Sequence, residues 1–113
     1  MPLKASSREI GGVTVIDLDG RITLGDGSEL LRDLIHKNLD QGHRKLVLNL
    51  ASISYLDSTG LGELVSSYRF VKSKGGELKL LNVNKKVSDL LQVTKLYAVF
   101  DIHNNETQAI ASF

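Results

Sequence analysis

The chain has 113 residues, 42% hydrophobic and 24% charged, with a net charge of +1 and no cysteine. That length suits one domain with a real core; the interspersed charges leave no nucleic-acid footprint, and without cysteine there are no disulfides and no thiol chemistry. The opening MPLKASSREIGG holds no apolar run fit for a signal peptide, and no stretch nears the roughly 18 apolar residues of a membrane span, so the chain reads as soluble and cytoplasmic.

Lys4 to Ile10 is a strand candidate, joined by Gly11-Gly12 to Val13–Leu18. A Gly-Gly pair between two such runs signals a hairpin, because its turn needs positive φ. Alternation puts Thr14, Ile16 and Leu18 on one face. Asp26 with Glu29 three residues later reads as a capping box. It opens a helix carrying Leu30, Leu31, Leu34, Ile35 and Leu39, which Gly42 stops.

Lys45 to Leu50 has the short apolar character of a buried strand, and Ala51 to Asp57 reads as a loop. Leu61, Leu64, Val65, Tyr68 and Val71 mark a helix face ended by Gly75-Gly76. Glu77 to Val83 is the next strand. Asn84 caps a short helix with Val87, Leu90 and Leu91. Val99 to Ile102 forms a brief last strand, and Asn104 or Asn105 caps a final helix to Phe113. Pro2, the sole proline, lies in the tail. No repeat, low-complexity tract or linker interrupts the order β-β-α-β-α-β-α-β-α. It predicts an α/β fold in one domain over residues 1–113: a largely parallel mixed sheet with right-handed crossovers and an N-terminal hairpin.

The stretch with the most chemistry is Tyr55 to Leu64, YLDSTGLGEL. It lies at a strand–loop–helix junction, on the edge of a parallel sheet where sites gather. A helix start offers free N–H groups and a positive dipole end. Ser58 or Thr59 could cap that helix, carry a phosphate or lie beside one. The plain alternative makes Asp57 or Ser58 an N-cap and the glycines a packing device. Against it, no capping box follows, since Leu61 and Gly62 stand three residues after Ser58 and Thr59. Gly60 and Gly62 would also clear side chains from around the hydroxyls, so that a partner could approach closely.

Asp57-Ser58-Thr59-Gly60-Leu61-Gly62, after an apolar strand and before an amphipathic helix, resembles the phosphorylation motif of bacterial anti-sigma factor antagonists, of the STAS domain family. Asp19-Gly20-Arg21-Ile22, Gly75 to Leu80 and Val87 to Leu96 extend the resemblance across roughly Val13 to Phe100. The resemblance implies a cytoplasmic regulator that is not an enzyme and needs no cofactor. It implies that the unmodified protein binds an anti-sigma factor with a GHKL-type serine kinase fold and releases the sigma factor. ATP-dependent phosphorylation of Ser58, with Thr59 the secondary candidate, would end binding, and a PP2C-type phosphatase would restore it. Asp57, Gly60, Gly62, Asp19, Gly20 and Arg21 complete the implied partner-binding set. The chain departs from the family where Gly-Glu-Leu-Asp is common: it has Arg21-Ile22-Thr23 and then Leu24-Gly25-Asp26-Gly27. That loop should share an edge with Ser58.

Two other readings stand beside this one. The chain could be a STAS interaction subunit of a transport or sensory complex without a phosphoswitch, or a nucleotide- or anion-binding domain using the helix start at Ser58. His36, His43 and His103 are scattered, without metal-ligand spacing, and read as surface residues. No Gly-x-Ser-x-Gly elbow is present, and no Lys-Ser/Thr follows the glycines as a Walker loop requires. Lys72, Lys74, Lys85 and Lys86 read as solvated. Tyr55, Tyr68 and Tyr97 read as core or core-edge aromatics, one of them a candidate interface anchor.

Overall fold

In the computed structural model, which describes residues 3–113, the Gly11-Gly12 turn has φ of 58° and 82°. These are the left-handed conformations that a two-residue hairpin needs. The turn pairs β1 (Lys4–Ile10) antiparallel to β2 (Val13–Ile22), with Ile10 opposite Val13. Pro2 lies outside the described residues. There follow α1 (Ser28–Asp40), β3 (Lys45–Leu56), α2 (Ser58–Ser73), β4 (Glu77–Leu81), α3 (Lys85–Val93), β5 (Asp101–His103) and α4 (Glu106–Ala111). The expected order of strands and helices is the one found. The sheet runs β1-β2-β3-β4-β5, with β2 to β5 parallel.

Strand order follows chain order without reversal, so crossovers of one hand put their helices on one face. Ile35 and Leu39 of α1, Leu61, Leu64 and Val71 of α2, and Val87 and Leu91 of α3 join one core with Ile16, Leu18, Leu46, Leu48 and Leu80. Among the described residues, α4 is the helix that packs on the opposite face, its Ala109 against Val13, Val15, Val47 and Leu81. Buried Glu63 of α2 accepts from Arg32 of α1 at 2.9 Å, which ties the two helices together. Buried Lys79 donates to Asp101 at 2.6 Å and to the Ser112 carbonyl at 3.3 Å, and lies over the Phe113 ring, anchoring the C-terminal segment.

Several sequence expectations need correction. Ala51 to Leu56 is strand, paired to β2 as far as Ile22 opposite Leu56. Register irregularities between Asp17 and Asp19 and between Gly20 and Arg21 break the two-residue period. Leu50, Ile53 and Leu56 therefore turn inward at a spacing of three, which disguises the strand. Asp26 does not cap α1. Its carboxylate goes to Arg21 at 3.2 Å, and Gly27 takes the cap position with φ 101° and no side-chain cap bond. β4 ends at Leu81, because Asn82 takes a positive φ of 57°. The last strand begins at Asp101 rather than Val99, since a 3-10 turn over Leu96–Ala98 precedes it and Phe100 enters the core. Tyr68 packs edge-on to Phe100, but Tyr55 and Tyr97 are exposed. His43 is half-buried between Asn38, at 2.8 Å, and Glu9, at 3.0 Å; His103, half-buried too, lies 3.0 Å from Asp101. Asn84 and Asn105 cap α3 and α4 through their side chains, as expected.

Candidate functional site

Asp57 leaves β3 in an extended conformation, φ −95° and ψ −177°, and its Oδ1 accepts from the Gly60 N–H at 2.7 Å. This is the N-cap geometry that satisfies one orphan donor of a helix start. The other carboxylate oxygen accepts from the Leu24 N–H at 3.2 Å, across the gap to the β2–α1 loop. The Asp57 N–H in turn donates to the Ile22 carbonyl at 3.4 Å. Backbone donors, Gly60 first and then Leu24 and Thr59, hold the Asp57 carboxyl below the usual range. It is therefore a charged clasp at neutral pH, joining the end of β2, the following loop and the tip of α2.

With Asp57 as the cap, Ser58 and Thr59 have no capping task. Both are exposed, and neither hydroxyl is engaged by another of the described residues. The glycines, expected together to clear space for a partner, divide the work. Gly60 is buried, and a Cβ there would fall on the Ile22 carbonyl oxygen and within 2.8 Å of Leu56 Cδ1. It lets α2 press on the end of β2. Gly62 is exposed, with nothing within 4 Å of an added Cβ. The plain reading therefore holds for Asp57 and Gly60, and the open surface belongs to Ser58, Thr59 and Gly62.

The Thr23–Asp26 loop lies on the same edge, as expected, and it is braced. Thr23 N–H donates to the Asp26 carbonyl at 2.7 Å, and Asp26 N–H returns to the Thr23 carbonyl at 3.1 Å. Arg21 reaches that loop through Asp26. Gly20 and Asp19 sit further back along β2: the Gly20 carbonyl accepts from Ser54 Oγ at 3.1 Å, and Asp19 stands opposite Ser52. Asp19 lines a polar hollow with Lys4 and Ser6, away from the helix tip.

Sequence reasoning did not single out Leu24, whose side chain is 77% exposed beside this clasp. The sequence masks it: Leu24 follows Ile22 at the two-residue spacing of a strand and reads as its continuation, and only Gly25-Asp26-Gly27 after it hints that the strand has ended. A hollow of about 160 Å³ flanks the other side, lined by Tyr55, Leu56, Asn84, Val87 and Leu90. Among the described residues, no group of three His, Cys, Asp or Glu side chains is placed to hold a metal. No helix of the described residues is long and apolar enough to cross a membrane.

The sheet order never reverses, so the switch-point crevice in which open α/β sheets bind nucleotides is missing. The site is an exposed helix tip with a braced loop beside it. Across residues 4–109 the chain matches the STAS domain.

This chain belongs to the STAS domain family. Over 115 residues it is 27% identical to the anti-sigma F factor antagonist of Paenibacillus polymyxa, covering 97% of this chain and 94% of that protein. The anti-sigma-B factor antagonist of Bacillus subtilis is 38% identical over 73 residues, 65% of this chain and 66% of that one. The same STAS fold is found in the Bacillus cell fate determinant SpoIIAA, solved in its phosphorylated form. The TM-score is 0.73 at 22% identity, over 96% of this chain and 98% of that chain.

Proposed function

We propose that this protein is an anti-sigma factor antagonist whose binding is switched at Ser58. Unmodified, it docks on an anti-sigma factor that is also a serine kinase, and the sigma factor is released. The kinase transfers the γ-phosphoryl group of ATP to Ser58: the Oγ–P bond forms, the bond to the β-phosphate breaks, and ADP leaves. A PP2C-type phosphatase hydrolyses the phosphoserine and restores binding. The protein itself works by docking in the cytoplasm, without catalysis of its own.

The observation that carries this reading is the division of labour at the tip of α2. Asp57 does the capping, which leaves an exposed hydroxyl at the first helical residue with no structural task. The names of the antagonist relatives support the partner class, and the phosphorylated SpoIIAA of like fold supports the modification.

A phosphoserine adds about −1.5 to −2 charge and three strong acceptors at neutral pH. The helix dipole and free N–H groups would favour it by roughly 0.3–1 kcal/mol at an exposed site, while the Asp57 carboxylate beside it opposes. Both terms are small at an exposed site, so phosphorylation should leave the free domain folded and the effect falls on the complex. There a desolvated dianion costing about 3 kcal/mol would weaken binding more than a hundredfold.

The test incubates the purified chain with ATP and each anti-sigma factor serine kinase of its source organism, and reads intact mass and peptide maps for wild type and Ser58→Ala. One phosphoryl group on Ser58, absent from the variant, together with weaker binding of the phosphorylated form, is the expected result. An unmodified Ser58, or tight binding after phosphorylation, would reject the reading.

A further inference from the structure

The geometry points to Leu24 as the apolar anchor of the docking surface, entering an apolar pocket of the anti-sigma partner beside the cleft that receives Ser58. This rests on the proposed function and adds the chemistry by which the partner is chosen.

Three observations carry it. Leu24 is 77% exposed, so its side chain contributes almost nothing to the core. Its backbone is nonetheless tightly held. The Leu24 N–H donates to Asp57 Oδ2 at 3.2 Å, the Thr23 and Asp26 backbones bond to each other at 2.7 and 3.1 Å, and Thr23 Oγ1 donates to the Asp26 carbonyl at 3.2 Å. A large apolar side chain on a braced loop loses little freedom on binding, which is what an anchor residue needs.

The third observation is charge. The one carboxylate on the loop, Asp26, is already taken by Arg21 at 3.2 Å. The loop therefore offers an apolar contact where a free acidic group would call for a basic partner. Asp57 joins the two halves of the surface, since one of its oxygens caps the Ser58 helix and the other holds Leu24. Leu24 thus sits in fixed register with the phosphorylated residue and sets which partners fit.

The experiment measures, by calorimetry, the affinity of wild type, Leu24→Ala and Val93→Ala for the serine kinase that phosphorylates Ser58. Val93 is 81% exposed at the far end of α3 and serves as the control for a lost exposed apolar residue. Leu24→Ala is expected to bind about tenfold more weakly with an unchanged melting temperature, and Val93→Ala as wild type. A loss below about threefold, or an equal loss in Val93→Ala, would overturn the anchor while Ser58 is still phosphorylated. Should no kinase act on wild-type Ser58, the underlying reading fails, and the anchor with it.

Discussion

Two helices of this molecule open on a serine, Ser28 in α1 and Ser58 in α2, and both lean on the end of β2 through a glycine. A Cβ on Gly27 would strike the Arg21 carbonyl, and a Cβ on Gly60 the Ile22 carbonyl. From there they part. α1 starts without a side-chain cap, and its serine is buried; α2 is capped by Asp57, and its serine is exposed. The same residue type at the same helical position is sealed in one case and presented in the other. What decides is which neighbour closes the helix.

The comparison can be broken most severely at its shared support. Gly60→Ala should destabilise by about 3 kcal/mol or more, because backbone meets the new methyl and cannot give way. Gly27→Ala should do the same, with its left-handed φ adding strain. Urea unfolding of both, beside Gly62→Ala, measures this. Gly62→Ala should instead gain up to about 1 kcal/mol from helix propensity, having open space around it.

A charge at each serine sharpens the contrast. Ser28→Asp should cost about 2 kcal/mol by burying a carboxylate. Ser58→Asp should leave stability within about 1 kcal/mol while abolishing partner binding. Thermal melts and calorimetry on the two variants separate the effects.

Asp57→Ala removes the cap and the hold on Leu24 together, and should lower the melting temperature by a few degrees. Acid does the same by titration. The Asp57 pKa is depressed in the folded state by the Gly60 and Leu24 N–H groups, as are those of Asp17 and Glu106 by Arg8 and of Asp101 by Lys79. Stability from such groups is fully present above their unfolded values near 4 and is lost as pH falls through the lower folded values. Melts from pH 6 to pH 2 should show a flat region above about pH 5 and a fall below about pH 4, shallower in Asp57→Asn. Leu24→Ala is the smallest stability effect of all, within about 0.5 kcal/mol.

Much of this was legible in the sequence. Gly11-Gly12 announced the hairpin, Asn84 announced one cap and the Asn104-Asn105 pair another, and apolar spacing announced the helices, because each of these signals is local. The end of β3 was not legible, since bulges set by pairing with β2 break the alternation of Leu50, Ile53 and Leu56. Asp26 looked like a cap because the sequence cannot show that Arg21 claims its carboxylate. At the site, Ser58 and Asp57 were legible as a motif. The separate duties of Gly60 and Gly62 were not, because they depend on how near Ile22 stands. Leu24 was not legible either: two residues after Ile22 it looks like one more strand residue, and it gains meaning only once its exposure and its bond to Asp57 are seen.

The order of the sheet has a kinetic consequence. Every strand pairs with its immediate predecessor in the chain, so no strand waits for a later segment to be inserted between it and its neighbour. Each parallel pairing still closes over an intervening helix, Thr14 onto Leu46 and Lys45 onto Glu77, and so forms more slowly than the hairpin. On the ribosome, where the N-terminal part emerges first, the sheet grows by accretion at a single edge: hairpin, then β3, then β4. The three-residue β5 presents too short an edge for a further strand, and growth stops there.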